Sequence, residues 1–217
     1  MFSRHGSVDK QIVGIILALT LIGIIMVYSS SAMVTQSRFG DANLYLKKGL
    51  IRVIIGVVSM VFMSMVDYKK LVNWSSKILV VSIIPLVMTL IPALAGKDAV
   101  NGANRWISIP FFSSFQPSEM SKITLIIFMA AYLTKKQMLL KSFYKGFLPA
   151  LVIPMTVITI IILQPNFGMA VSISIVIALM LWIAGAKTSH MLITAGVTMP
   201  VMLGLLLLYD HSRARIM

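Results

Sequence analysis

Seven apolar runs divide this sequence: Ile12–Met33, Gly49–Val66, Ile78–Ala95, Pro117–Thr134, Phe147–Leu163, Phe167–Gly185 and His190–Tyr209. Each is close to the ~17–25 residues that a helix needs to cross a hydrocarbon core of ~30 Å. Lipid offers no partner to a backbone amide or carbonyl, so a spanning segment must satisfy its own, and continuous runs of this length do so as helices. The sequence therefore predicts an all-α fold, a polytopic transmembrane helix bundle of about seven helices forming one membrane domain over residues 1–217. The charged fraction of 12% fits this reading, since soluble domains carry about 25%. Pro85, Pro92, Pro154 and Pro200 fall inside the runs and are read as kinks, tolerated where neighbouring helices satisfy the freed carbonyls.

The first run follows Arg4 and Lys10 and ends in Ser-Ser-Ser-Ala-Met, so it also has to be weighed as a secretory signal. It is longer than the apolar core of such signals, about 7–15 residues, and is read as an uncleaved first helix. Orientation follows from lysine and arginine in short loops. With a cytoplasmic N-terminus the inner set is Arg4, Lys10, Lys69, Lys70, Lys77, Lys135, Lys136, Lys141, Lys145 and Lys187, ten of 19 basic residues. The weight lies in Lys135–Lys145, where four lysines occur without an acid.

Several function classes are excluded or disfavoured. The net charge of +13 is spread between apolar runs and does not form the basic face that nucleic-acid binding requires; membrane lipids or lipid-linked phosphates fit better. There is no cysteine, so thiolate nucleophiles and cysteine metal sites are absent. Ala95-Gly96-Lys97-Asp98 lacks the flanking residues of a phosphate-binding loop. His5, His190 and His211 are scattered, and Ser118 and Lys122 are one residue too far apart for an S-x-x-K pattern. No cofactor motif is evident, and a divalent metal is left open. The acids are Asp9, Asp41, Asp67, Asp98, Glu119 and Asp210, none of them in mid-run, unlike a proton-coupled transporter. The 17 methionines are expected to fill gaps between helices.

Two polar elements stand out. In NGANRWISIPFFSSFQPSEMSK, residues 101–122, Pro117 suits the first position of a helix. That puts Glu119 at the third position, in the positive end of the helix dipole, with Lys122 one turn on along the same face. Asn101, Gly102 and Asn104 permit tight turns, and Trp106 with Phe111 and Phe112 suits a membrane interface. One reading is an interfacial ion pair that anchors a helix end. The other is an outward-facing polar pocket, in which Arg105, Lys122 and the open amides of the helix attract an anion. The second element, LQPNFG at Leu163–Gly168, reads either as the turn of a helical hairpin or as a broken helix lining a cavity.

Gly102-Ala103-Asn104-Arg105-Trp106, then Gln116-Pro117-Ser118-Glu119 with Lys122 beyond, resembles the SEDS family of FtsW, RodA and SpoVE type. LQPNFG resembles that family's Gln-Pro-Asp-x-Gly element through Gln164, Pro165 and Gly168, with Asn166 where Asp is usual. The resemblance implies a bacterial plasma-membrane enzyme of roughly ten helices that polymerises lipid II, with a class B penicillin-binding protein as partner. In that reaction an acceptor hydroxyl attacks the donor anomeric carbon and undecaprenyl pyrophosphate leaves, which calls for a general base and for stabilisation of the leaving anion. On this likeness the substrate-binding candidates are Arg105, Lys122, Glu119, Gln116 and Ser118. Arg105 and Lys122 suit the anion, and Glu119 would hold and neutralise Lys122. Gly102, Trp106, Pro117, Gln164, Pro165, Asn166 and Gly168 are the structural motif. No general base is assigned: the family's catalytic Asp follows the seventh helix in a large outer loop, and Asp210 precedes that position. The sequence is accordingly read as the N-terminal seven helices of a longer protein. The competing functions are a lipid-linked precursor flippase and a non-catalytic membrane scaffold. Whether division, elongation or sporulation is served stays open.

Overall fold

The computed structural model describes residues 9–41, 43–91, 106–107 and 115–208. Among the described residues there are seven α-helices, α1 Lys10–Phe39, α2 Leu44–Ser64, α3 Tyr68–Met88, α4 Pro117–Lys136, α5 Leu148–Leu163, α6 Phe167–Ile183 and α7 Thr188–Leu208. Three spans among the described residues are long and apolar enough to cross a membrane on length and composition: Lys10–Ser37, Tyr68–Met88 and Phe143–Leu163. Phe167–Ile183 is a shorter apolar helix. The chain divides into two compact units, Met1–Val66 and Asp67–Met217.

The first unit is the pair α1 and α2. Asp9 caps α1 by accepting hydrogen bonds from the amides of Gln11 at 2.9 Å and Ile12 at 3.4 Å. Gly40 ends the helix with φ +73°, a left-handed conformation that glycine adopts without penalty, and its amide returns to the Gln36 carbonyl at 3.1 Å. At 30 residues α1 is about 45 Å long. It continues past the apolar segment Ile12–Met33 to the Gly40 cap, and in this extension Thr35 and Ser37 donate their hydroxyls to carbonyls of their own helix, which hides polar groups without ending the ladder. In the following loop Asp41 pairs with Lys47 at 3.0 Å. The Lys47 ammonium, then the Asn43 amide, hold the Asp41 carboxyl below its ordinary pKa.

The second unit packs α3, α4, α5 and α6 around Leu86, Leu125, Met129, Val157, Ile161 and Ile173. Its one displaced element is α3. The apolar run Ile78–Ala95 predicts a helix that starts ten residues later than the observed Tyr68–Met88, and Pro92–Ala95 lie outside the described residues. Hydropathy marked the greasy stretch, whereas the cap fixed the helix start. The Asp67 carboxylate accepts from the Lys69 amide at 2.9 Å, the Asp67 carbonyl accepts from the Lys70 amide at 2.9 Å, and the polar first turns carry Lys77 over the Trp74 ring at 5.4 Å. The helices run unbroken through Pro85, Pro154 and Pro200; Pro92 is outside the described residues.

The expected core role of methionine holds in part. Met129 is fully buried and Met155, Met169, Met180 and Met191 pack at the edge of the core, but Met26, Met33, Met65, Met138 and Met199 face outward. In lipid an outward thioether costs nothing, so composition does not separate the core face from the lipid face.

Between α4 and α5 the chain makes a 3-10 turn, Gln137–Leu139, and a π-helical turn, Phe143–Phe147, that runs into α5. Leu140 and Phe147 are fully buried there. Gly146 lies so close to the Leu139 carbonyl that a Cβ would overlap backbone atoms. His190 of α7 packs edge-on to Phe143, with ring centroids 5.2 Å apart, and against Phe147. The end of α6, which leads into α7, therefore lies beside the start of α5, and the two helices are antiparallel.

Candidate functional site

The start of α4 is built as its sequence predicts. Gln116 is the N-cap with extended backbone, Pro117 opens the helix and Glu119 sits in its first turn. The Lys122 ammonium donates to Glu119 Oε2 at 2.7 Å. The Glu119 side chain is half exposed and that of Lys122 about a quarter exposed, so the pair alone is worth only ~0–1 kcal/mol. Its consequence is chemical: a cation and a carboxylate are held at the positive end of a helix dipole.

An antiparallel bridge brings the preceding loop back to this point. Ile107 and Phe115 exchange backbone hydrogen bonds of 2.8 and 2.9 Å, which places Trp106, partly exposed, next to Gln116. Gly102 and Arg105 lie outside the described residues.

Beneath the first turn of α4 runs a buried polar seam. Ser118, Ser121 and Thr124 recur every third residue on α4 and are buried. On α3 and at its cap Ser75, Ser82 and Thr89 are buried at seven-residue spacing, and Ser82 meets the α4 set. The Ser82 and Thr124 hydroxyls are 2.6 Å apart, and Ser121 donates to the Ser82 carbonyl at 3.1 Å. Small hydroxylated residues let membrane helices approach closely and hydrogen-bond across the contact. Sequence reasoning passed over this seam, although its periodicities of three and seven were visible.

LQPNFG is the turn of a helical hairpin: α5 ends at Leu163, Gln164–Asn166 connect, and α6 begins at Phe167. The Gln164 and Asn166 amides both return to the Ile161 carbonyl, at 3.2 and 3.3 Å. Gln164 is buried and its Nε2 donates to the Leu86 carbonyl at 2.9 Å and to Thr89 Oγ1 at 2.7 Å. The last carbonyls of a helix lack intrahelical partners, so Gln164 caps the end of α3 from another helix. Asn166 Nδ2 reaches Ser118 Oγ at 3.5 Å, a long contact. The ends of α3 and α5 and the starts of α4 and α6 thus share one end of this unit, with Lys122 and Glu119 at its rim. Asn166 acts here as a neutral donor to a hydroxyl.

Gly168 has no steric role of this kind. A Cβ there meets nothing within 4 Å, and its position near the start of α6 favours alanine by roughly 0.5–1 kcal/mol. Gly168→Ala is expected to leave the thermal midpoint unchanged or raise it by a few degrees, measured by heating the purified protein in detergent.

The family model of this constellation, described as cell cycle protein and named for FtsW, RodA and SpoVE, matches residues 10–217. The chain belongs to the FtsW/RodA/SpoVE family. A probable peptidoglycan glycosyltransferase FtsW of Trichlorobacter lovleyi is 37% identical over 213 residues, 98% of this chain and 54% of the relative. Stage V sporulation protein E of Bacillus subtilis is 35% identical over 216 residues, 100% of this chain and 58% of that protein. The fold is similar to that of the rod shape determining protein RodA of Thermus thermophilus, with TM-score 0.58 and 19% identity over 86% of this chain and 58% of that structure. The chain spans about half the length of the relatives it matches. It is a SEDS family member with a multi-pass membrane fold.

Proposed function

We propose that the protein takes part in polymerising lipid II into glycan strands at the bacterial plasma membrane. The observation that carries this reading is Lys122, held by Glu119 at 2.7 Å in the first turns of α4, where the helix dipole adds to its charge. A pyrophosphate leaving from the donor sugar needs such stabilisation. Glu119 keeps the ammonium in place in the absence of substrate, and the seam Ser82–Thr124 with the Gln164 cap holds α4 beneath it. Gln116 caps the same turn and Ser118 is buried within it, and Arg105 is proposed as a second cation on sequence grounds. The relatives' names support the chemistry; a class B penicillin-binding protein as partner rests on family membership alone.

Orientation follows from charge. The end of the second unit opposite Lys122 gathers Lys69 and Lys70 at the start of α3 with the lysines of the α4–α5 connection. By the positive-inside rule that end is cytoplasmic and Lys122 faces the exterior; Arg4 and Lys10, by the same rule applied to the sequence, put the N-terminus on the cytoplasmic side.

With the full-length protein in liposomes, Lys122→Ala is expected to slow lipid II polymerisation by at least ~100-fold, the lower end of what loss of one anion-stabilising group costs. Polymerisation at the parental rate would remove Lys122 from the mechanism. Movement of labelled lipid II between leaflets without chain growth would instead favour the flippase reading.

A further inference from the structure

The α4–α5 connection carries a feature that polymerisation does not use. Lys135 and Lys136 close α4, and Lys141 and Lys145 follow within the next turns; all four are exposed. No acid occurs in the sequence between Glu119 and Asp210, and among the described residues no carboxylate pairs with any of these lysines. A loop that was only a connector would be free to spread such charges apart. This one is fixed, by the backbone crossing at Gly146 and by the buried Leu140 and Phe147.

Between the lysines the same elbow presents Met138 and Tyr144, 85% and 78% exposed. An apolar side chain and an aromatic with a polar tip, alternating with long cationic stems, suit the plane where acyl chains meet headgroups. From this juxtaposition we infer that the elbow is a docking surface for the anionic phospholipids of its own leaflet, with the four ammonium groups engaging headgroup phosphates and Met138 and Tyr144 seated among the upper acyl carbons. Charge complementarity selects this occupant, since each lysine near an anionic membrane surface contributes independently to the attraction. The inference needs only the membrane location and stands apart from the polymerase reading.

The test is native mass spectrometry of the full-length protein released from nanodiscs of phosphatidylglycerol and phosphatidylcholine in equal amounts. The parent is expected to retain phosphatidylglycerol selectively. Changing Lys135, Lys136, Lys141 and Lys145 to glutamine together is expected to lower that selectivity at least ~10-fold, and changing all four to arginine to preserve it. Equal selectivity of the glutamine variant and the parent would overturn the inference. So would an equal loss on changing Lys69 and Lys70 to glutamine, which would make the charge diffuse and not a property of the elbow. Should the fourfold variant not fold, salt decides: parental selectivity should fall steeply between low and physiological ionic strength, and an unchanged ratio would refute the headgroup contact.

Discussion

Gly146→Val is expected to lower the thermal midpoint of the purified protein by about 6–12 °C, the equivalent of roughly 3 kcal/mol in a chain of this size. A side chain at this position overlaps the Leu139 carbonyl and comes within 2.8 Å of the Leu140 nitrogen, and these are backbone atoms that no rotamer change moves aside. The Leu139 carbonyl also accepts from the Ser142 amide at 2.9 Å, while the Ser142 carbonyl accepts from both Gly146 and Phe147. Relieving the overlap therefore breaks the hydrogen bonds that define the π-turn and lifts Phe147 from its buried site against His190. Glycine in a helical turn ordinarily costs roughly 0.5–1 kcal/mol relative to alanine, so an alanine that destabilises here and not at Gly168 would isolate the backbone crossing as the cause. A midpoint for Gly146→Val within a degree of the parent would mean that this crossing is not required.

Gln164→Leu is the second large effect, at about 2–3 kcal/mol. The substitution keeps side-chain bulk but removes the donor that caps the Leu86 carbonyl and the Thr89 hydroxyl, and a buried acceptor left without its partner costs about 1–3 kcal/mol. Thr89 retains its own bond to the Leu86 carbonyl at 2.8 Å, which limits the loss. Thr89→Val in the same background should therefore add less than it does alone, because both partners of one hydrogen bond are then gone. A double-mutant cycle of thermal midpoints measures this. Strict additivity would show that the two side chains do not act as a unit. Because the cap joins the α5–α6 hairpin to α3, and α3 carries the Ser82 contact to α4, Gln164→Leu should also loosen the footing of Lys122.

The start of α4 was legible residue by residue. Proline at the first position and glutamate at the third are dictated by the missing amide partners and the dipole of a helix N-terminus, and an ion pair with Lys122 follows from helical spacing. The hairpin at Gln164–Asn166 was legible as one of two readings, and the packing of α5 on α6 selected it. The start of α3 was not legible from hydropathy, because a cap at Asp67 extends helix into a polar stretch that no apolar window includes.

By itself the sequence determined that seven helices stand among the described residues, the approximate extents of all but α3, and the polar residues that mark one end of the second unit, since lipid leaves an apolar run no alternative to helix. Tertiary structure alone decided which side chains meet: Gln164 with Thr89, Ser82 with Thr124, Gly146 with the Leu139 backbone. Those contacts join residues far apart in the chain, or depend on a backbone crossing. In a membrane, outward and inward apolar faces carry the same residues, so hydrophobicity that fixes packing in water leaves it undetermined here.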